Sequence, residues 1–181
     1  MSADVVILTG PSGAGKSTTA RSLAQTYSKS VHLHTDDFWR FIASGAIPPH
    51  LPESEEQNHV VMRVIRHAAF TYAAGGFTTV VDGVIGPWML GHFRDVDDAP
   101  PLHYVVLRPE RDETLRRAQG RTTPDALVDE EPVVALWGQF ADLGPLERHV
   151  IDTTRQEPAG TLRAVTDAIT SNRFLLDPTV E

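Results

Sequence analysis

The chain contains no cysteine among its 181 residues. This absence excludes disulfide bonds, thiolate metal sites and a cysteine nucleophile, and it fits a cytoplasmic protein. No apolar run is long enough to span a bilayer, and the first residues lack the basic and apolar regions of a signal peptide. We therefore expect a cytoplasmic protein with no membrane partner.

Basic residues are also scarce, since 16 Lys and Arg face 24 Asp and Glu and give a formal net charge of −8. A basic face for a nucleic-acid backbone is therefore not expected, and we predict no nucleic-acid partner. The length fits a single domain with a sizeable core. The sequence leaves the oligomeric state open between a monomer and a homodimer.

The most specific motif lies near the N-terminus, between a predicted strand at residues 5–8 and a predicted helix at residues 17–27. It matches G-x-x-x-x-G-K-[ST], a loop whose glycines let backbone N–H groups point at phosphate oxygens. We predict that it binds ATP, with Lys16 on the β- and γ-phosphates and Ser17 as a ligand of Mg²⁺. The predicted nucleotide-binding residues here are Gly10, Pro11, Ser12, Gly13, Ala14, Gly15, Lys16, Ser17 and Thr18.

Strands and helices are predicted to alternate along the rest of the chain. Further apolar runs predict strands at residues 31–34, 77–81, 102–107 and 149–151, and helical periodicity predicts helices at 55–74, 110–120 and 158–171. The alternation is typical of an α/β fold, here a three-layer, doubly wound parallel sheet of five strands. In such a sheet ligands bind at the carboxyl ends of the strands.

Carboxylates follow the second and third predicted strands. Asp36 and Asp37 are expected beside the phosphate loop, where one carboxylate can take the proton of an acceptor hydroxyl. Because successive side chains of an extended chain point in opposite directions, we favour Asp36 as the catalytic residue. Asp82 is predicted to bind Mg²⁺ together with Ser17. The alternatives are that Asp36 and Asp37 only cap a helix or turn, and that Asp82-Gly83 is only a turn.

Arginines cluster within a segment of about residues 111–130, which we predict to be a mobile lid. Arg117 and Arg121 lie four residues apart and share a helix face, so both can neutralise charge on a transferring phosphoryl group. The alternative is a solvated helix whose arginines pair with neighbouring acids. Arg155, after the last predicted strand, is expected to stack on the adenine ring.

The phosphoryl acceptor is predicted to bind an insert of about residues 38–60, which begins with aromatic residues and contains several prolines. The predicted acceptor contacts are Asp37, Phe38, Trp39, Arg40 and Gly83. Alternatively, the aromatic residues belong to the core. His32 and His34 share one face of a strand, but no third ligand is apparent, so we predict no metal site there.

Taken together, these features resemble the small P-loop kinases over about residues 5–171. The closest resemblance is to the chloramphenicol-phosphotransferase-like group and its bacterial relatives, some of them described as AAA-type ATP-binding proteins or cytidylate kinases. The resemblance implies one domain over residues 1–181 with a P-loop nucleoside-triphosphate hydrolase or nucleotide-kinase-like fold. It also implies that Asp36 is the catalytic carboxylate and that Arg117 and Arg121 are lid arginines.

We therefore expect an ATP- and Mg²⁺-dependent kinase that moves the γ-phosphate to a hydroxyl of a small molecule. The alternatives are a nucleoside monophosphate kinase, or an ATPase without a small-molecule acceptor. The chain has no clear set of arginines after the second strand to hold a nucleotide's own phosphate, and Arg40 and Arg63 are the only near candidates. It also lacks the N/T-K-x-D motif expected of a GTPase.

Overall fold

A parallel sheet forms the centre of the structure, a computed structural model that describes residues 3–94, 96–122 and 126–176. Its strands are β1 (Val5–Thr9), β2 (Ser30–His34), β3 (Thr78–Asp82), β4 (Leu102–Leu107) and β5 (Val150–Ile151). The strands pair in the order β2-β3-β1-β4-β5, and every neighbouring pair is parallel. The predicted α/β fold with a five-stranded parallel sheet is therefore confirmed.

Helices cover both faces of this sheet. They are α1 (Lys16–Ala24), α2 (Thr35–Arg40), α3 (Glu55–Ala74), α4 (Pro87–Leu90), α5 (Arg111–Gln119), α6 (Glu130–Gly138) and α7 (Pro158–Thr170). Short 3-10 helices occur at Pro52–Ser54, Gly91–Phe93 and Gly144–His149. One apolar core lies between the sheet and helices α1 and α7, and the other lies on the α3 side. The fold thus has three layers, as the sequence predicted.

Strand β1 shows why a continuous apolar run marks the centre of such a sheet. Val5 and Ile7 belong to the core on the α3 side, whereas Val6 and Leu8 belong to the core beneath α1 and α7. All four side chains are fully buried. A strand with helices on both faces needs apolar side chains at every position, because alternate residues point to opposite faces.

Three described α-helices, α2, α4 and α6, are absent from the sequence prediction. Helix α2 begins directly after β2, so Asp36 and Asp37 lie in the first turn of a helix. The argument that they point in opposite directions along an extended chain is therefore wrong. Acidic residues at this position are favoured by the helix dipole. Helix α6 carries Pro132 in its first turn, where proline is tolerated because the first N–H groups have no partner within the helix.

The strand order also corrects the expected position of Asp36. Strand β2 does not pair with β1, because β3 lies between them. The register places both Leu8 of β1 and His34 of β2 opposite Asp82. Asp82 thus ends the strand that lies next to β1 and its phosphate loop. Asp36 follows the end of β2, which lies one strand further away.

A buried histidine, His149, lies directly before β5. His149 is completely buried, its Nδ1 donates to the Tyr104 carbonyl oxygen at 2.9 Å, and its Nε2 accepts from Arg148 Nε at 3.2 Å. This pattern requires the neutral imidazole. Burial lowers the pKa of His149 below its ordinary value, although the bond to Tyr104 opposes the change.

We predict that the free energy of unfolding falls as the pH drops below about 6.5, because the unfolded chain protonates His149 while the folded chain does not. The contribution of neutral His149 to stability is present in full above the pKa that this histidine has in the unfolded chain. It is lost as the pH falls through the pKa of the folded state, by at most about 1.4 kcal/mol per pH unit. Urea unfolding between about pH 7 and pH 5 measures the slope.

The variant His149→Gln keeps an N–H donor for Tyr104 and should show a shallower slope than the wild type. His67 lies exposed on α3, so His67→Gln serves as the matched control and should keep the wild-type slope. An unchanged slope in His149→Gln would contradict the prediction.

Candidate active site

The loop between β1 and α1 has a backbone that only glycine adopts easily. Gly13 has φ = 86° and Gly15 has φ = 90°, both in the left-handed region. A Cβ atom on Gly13 would lie 2.6 Å from the Thr114 carbonyl oxygen and 3.1 Å from the Ala118 nitrogen. Helix α5 therefore packs directly against the loop. At Gly15 a Cβ atom would meet nothing within 4 Å.

Lys16 stands at the start of α1, inside the loop. Its ammonium group donates to the Pro11 carbonyl oxygen at 2.8 Å. Burial lowers the pKa of Lys16 from 10.5 to about 8, and the carboxylates of Asp82 and Asp36 oppose this effect. Both carboxylates are thus near enough to Lys16 for their charges to act on it.

A cavity of about 210 Å³ lies over the loop, and we call it the phosphate cavity. It is lined by Gly13, Gly15, Lys16, Ser17, Thr18, Arg117 and Arg121. Arg121 also donates from Nη1 to the Ser12 hydroxyl at 3.2 Å. The structure therefore brings the predicted lysine and both predicted arginines together around one small space, which suits a polyanion.

Arg117 is held by several partners around the end of α5. Its Nε donates to Glu113 at 2.6 Å, and its Nη2 donates to the carbonyl oxygens of Thr153 at 2.9 Å and Thr154 at 3.2 Å. Arg117 thus both pairs with an acid of its own helix and lines the phosphate cavity. In the predicted lid of about residues 111–130, residues 123–125 lie outside the described part of the chain.

A second cavity of about 340 Å³ adjoins the loop on the side of α7, and we call it the base cavity. Arg155 lines it, together with Thr18 of the loop and Arg116 and Arg117 of α5. The two segments that border the phosphate cavity form part of this wall, and residues 154–158 with Thr161 form the rest. The expected contact of Arg155 with adenine stays a prediction.

The fully buried carboxylate of Asp82 is the centre of a hydrogen-bonded cluster. It accepts from the Ser17 hydroxyl at 2.6 Å, from His32 Nε2 at 2.5 Å and from His34 Nδ1 at 3.2 Å. Burial by itself would raise the pKa of Asp82, but the bonds from His32, His34 and Ser17 outweigh it and hold the pKa well below its usual range. Asp82 therefore stays ionised.

The sequence prediction missed this role of His32 and His34. A spacing of two placed both side chains on one face of β2, which was the available signal. That they meet Asp82 depends on β3 being the neighbour of β2, with His34 opposite Asp82 in the register. A spacing within one strand carries no such information.

Ser17 and Asp82 have the chemistry expected of a Mg²⁺ site. Their oxygens lie 2.6 Å apart at the edge of the loop, and Mg²⁺ prefers oxygen ligands. Within the described ranges, no group of three or more His, Asp or Glu residues forms a metal site made of protein alone. A Mg²⁺ ion shared with bound phosphates needs only one or two protein ligands, so the residues present fit it.

Asp36 lines a third and larger cavity of about 560 Å³, which we call the acceptor cavity. Helices α2, α3, α4 and α6 contribute to its wall, with the loops next to them. The lining residues are Thr35, Asp36, Trp39, Pro49, His50, Asn58, Met62, Val84, Trp88, Met89, Leu136 and Gln139. The sequence prediction named Asp36 and Trp39 of this set, and its insert of about residues 38–60 contains Pro49, His50 and Asn58. It missed the residues from later parts of the chain, which are Met62, Val84, Trp88, Met89, Leu136 and Gln139.

The other predicted acceptor contacts do not line this cavity. The Asp37 carboxylate accepts from Arg40 Nη1 at 3.0 Å on the exposed side of α2. Phe38 packs edge-on against Phe41, with ring centroids 5.7 Å apart, beside a different groove. Gly83 lies directly against the Thr35 side chain. The end of β3 therefore packs against the start of α2.

Comparison with known protein families gives a match over most of the chain. Residues 6–138 match the family described as AAA domain. The chain belongs to this family. No curated protein sequence matches the chain. The specific chloramphenicol-phosphotransferase-like group remains a prediction.

Solved structures similar to this chain cover nearly its whole length. A sugar kinase from Janibacter sp. HTCC2649 is 22% identical with a TM-score of 0.68, and the alignment covers 98% of this chain and 100% of that one. Shikimate kinase from Acinetobacter baumannii is 20% identical, with a TM-score of 0.65 and 95% of each chain covered. A gluconokinase from Sinorhizobium meliloti 1021 is 15% identical, with a TM-score of 0.69 and coverage of 94% and 93%. These likenesses show that the chain shares the fold of these three proteins.

We predict that Gly13→Ala damages the loop more than Gly15→Ala does. Both substitutions force alanine into the left-handed region, at about 1–2 kcal/mol each. Only the first also drives a Cβ atom into the backbone of α5. Gly13→Ala should therefore show the lower urea midpoint and the weaker binding of a fluorescent ATP analogue.

The matched control is Gly138→Ala at the end of α6, where a Cβ atom meets nothing within 4 Å and φ is not positive. This variant should bind ATP like the wild type and should not unfold at a lower urea concentration, because alanine is the better helix former. Equal losses in Gly13→Ala and Gly15→Ala would show that the contact with α5 is unimportant.

Proposed function

We propose that this protein is an ATP-dependent kinase that transfers the γ-phosphoryl group to a hydroxyl of a small molecule. The position of Asp36 carries the proposal. Asp36 lines the acceptor cavity, and its charge acts on Lys16 of the phosphate loop. One carboxylate thus lines a cavity of the size that small ligands occupy and acts through its charge on the lysine of the phosphate loop.

The arrangement of the three cavities supports a separate binding place for each part of the reactants. ATP would place its triphosphate over Lys16 and its base in the cavity lined by Arg155. The acceptor would occupy the cavity lined by Asp36 and Trp39. The similar folds of a sugar kinase, a shikimate kinase and a gluconokinase agree with this assignment.

In the proposed reaction the acceptor's hydroxyl oxygen attacks the γ-phosphorus. The bond from that phosphorus to the β–γ bridging oxygen breaks, and ADP leaves with the electron pair. Asp36 accepts the proton of the hydroxyl and later releases it to solvent. Lys16, Arg117 and Arg121 stabilise the negative charge on the transferring group.

Ser17 and Asp82 would hold Mg²⁺, which neutralises charge on the β- and γ-phosphate oxygens when it is bound. The ionised state of Asp82 suits this role, because a protonated carboxyl group is a poor ligand of a hard cation. His32 and His34 keep that carboxylate in place through their hydrogen bonds.

Other features of the proposal rest on the sequence. In the part of the chain that the structure describes, no helix has the length and apolar character to cross a membrane. A cytoplasmic location, the absence of a nucleic-acid partner and the membership of the chloramphenicol-phosphotransferase-like group stay predictions. The oligomeric state stays open.

The test begins with a screen that measures ATP consumption in the presence of hydroxyl-bearing metabolites and antibiotics. With an acceptor in hand, Asp36→Asn should lower kcat by about 10²–10⁴-fold, the usual contribution of a general base. ATP should bind this variant at least as tightly as the wild type, because a negative charge near Lys16 has been removed.

The neighbouring Asp37→Asn is the matched control, since Asp37 lies outside the acceptor cavity, and it should transfer normally. Lys16→Met should lose ATP binding. Normal transfer by Asp36→Asn would remove Asp36 from the mechanism. ATP consumption that no acceptor stimulates would make the protein an ATPase instead of a kinase.

A further inference from the structure

From the wall of the acceptor cavity we infer the chemical class of the acceptor: an uncharged alcohol with a largely apolar or aromatic body. Acceptors that carry a carboxylate or a phosphate group are excluded from this class. The inference rests on the proposed function, because it assumes that the cavity beside Asp36 holds the acceptor.

The first argument is the charge of the cavity wall. Among the described residues, no lysine or arginine lines the cavity, and Asp36 and His50 are its titratable side chains. An anionic group of the acceptor would enter a partly desolvated space whose described wall contains the Asp36 carboxylate and no Lys or Arg side chain. Arg40, close in the sequence, is directed to Asp37.

The cations of the site lie instead around the nucleotide. Lys16, Arg117 and Arg121 line the phosphate cavity, and Arg116 and Arg155 line the base cavity. The described residues thus separate a cationic side for the triphosphate from an acceptor side without Lys or Arg. A nucleoside monophosphate or a sugar acid would need its own cation on the acceptor side.

The second argument is the apolar surface of the wall. Six apolar side chains contribute, and they are Trp39, Met62, Val84, Trp88, Met89 and Leu136. Trp39 uses its indole N–H to donate to Asn58 Oδ1 at 2.8 Å, so it offers the acceptor only ring carbon. Indole rings and flexible methionine side chains suit an aromatic or aliphatic body.

The third argument is that Asn58, one of the polar side chains of this wall, is already engaged in hydrogen bonds. Its Oδ1 accepts from Trp39, and its Nδ2 donates to the Pro49 carbonyl oxygen at 2.8 Å and to the Ser54 hydroxyl at 2.8 Å. Asn58 therefore holds the wall together instead of binding a polar acceptor. The other polar side chains of the described wall are Thr35, Asp36, His50 and Gln139, so a compound with many hydroxyls would find few partners there.

The experiment compares matched alcohols and acids on the full-length protein. One pair is 3-phenylpropane-1,2-diol and 3-phenyllactate, which differ by CH₂OH against COO⁻, and gluconate and CMP extend the anionic set. We expect binding of the diol to change the tryptophan fluorescence, and its phosphorylation to have a kcat/KM at least about tenfold above that of the acid. Trp88→Phe assigns the fluorescence change to the cavity.

A charge variant provides the second measurement. Gln139 is exposed and lies at the C-terminal end of α6 on the cavity wall. Gln139→Arg places a cation there and should raise the relative binding of 3-phenyllactate over the diol by about fivefold. Gln25→Arg adds the same charge at the exposed C-terminal end of α1, outside the cavity, and should leave the ratio unchanged.

The outcomes separate this inference from the proposed function. Phosphoryl transfer only to gluconate, CMP or 3-phenyllactate would keep the kinase and overturn the neutral acceptor. Binding of the diol without any transfer would support the acceptor class and count against the kinase. If the diol neither binds nor reacts, or if Gln139→Arg and Gln25→Arg shift the ratio equally, the inference is wrong.

Discussion

The site depends on one buried charge, the carboxylate of Asp82. Its partners come from the phosphate loop through Ser17 and from β2 through His32 and His34. A buried carboxylate without such partners would be neutral or strongly destabilising, so the loop, β2 and β3 must stay in register. The ends of these elements are then held together at the edge of the sheet where a parallel fold gathers its ligands.

Around this centre the side chains are sorted by charge. Lysine and arginine line the phosphate cavity, and arginines together with Glu113 and Glu157 line the base cavity, whereas the acceptor cavity has one carboxylate, no Lys or Arg among its described residues and a largely apolar wall. Such a separation would let the proposed nucleotide and the proposed acceptor bind by different forces. A triphosphate is held by N–H groups and fixed positive charge, and an apolar acceptor is held by burial of its surface.

The loop could be predicted because its chemistry is local. Eight consecutive residues contain the glycines, the lysine and the hydroxyl, and the backbone of Gly13 and Gly15 has the predicted unusual conformation. The apolar run of β1 likewise marks a central strand without help from other segments. Helix α6 was not predicted because Pro132 interrupts the helical pattern of the sequence, although a proline in the first turn leaves the helix intact. Helix α2 (Thr35–Arg40) was missed because its six residues show little periodicity.

The sequence by itself determined the fold class, the phosphate loop and the residue types available for catalysis, because each depends on contacts within a few neighbouring residues. Only the tertiary structure decided that β3 lies between β1 and β2, that His32 and His34 donate hydrogen bonds to Asp82, and that residues from four helices line the acceptor cavity. These facts follow from the packing of segments far apart in the chain, which the order of residues within one segment does not encode.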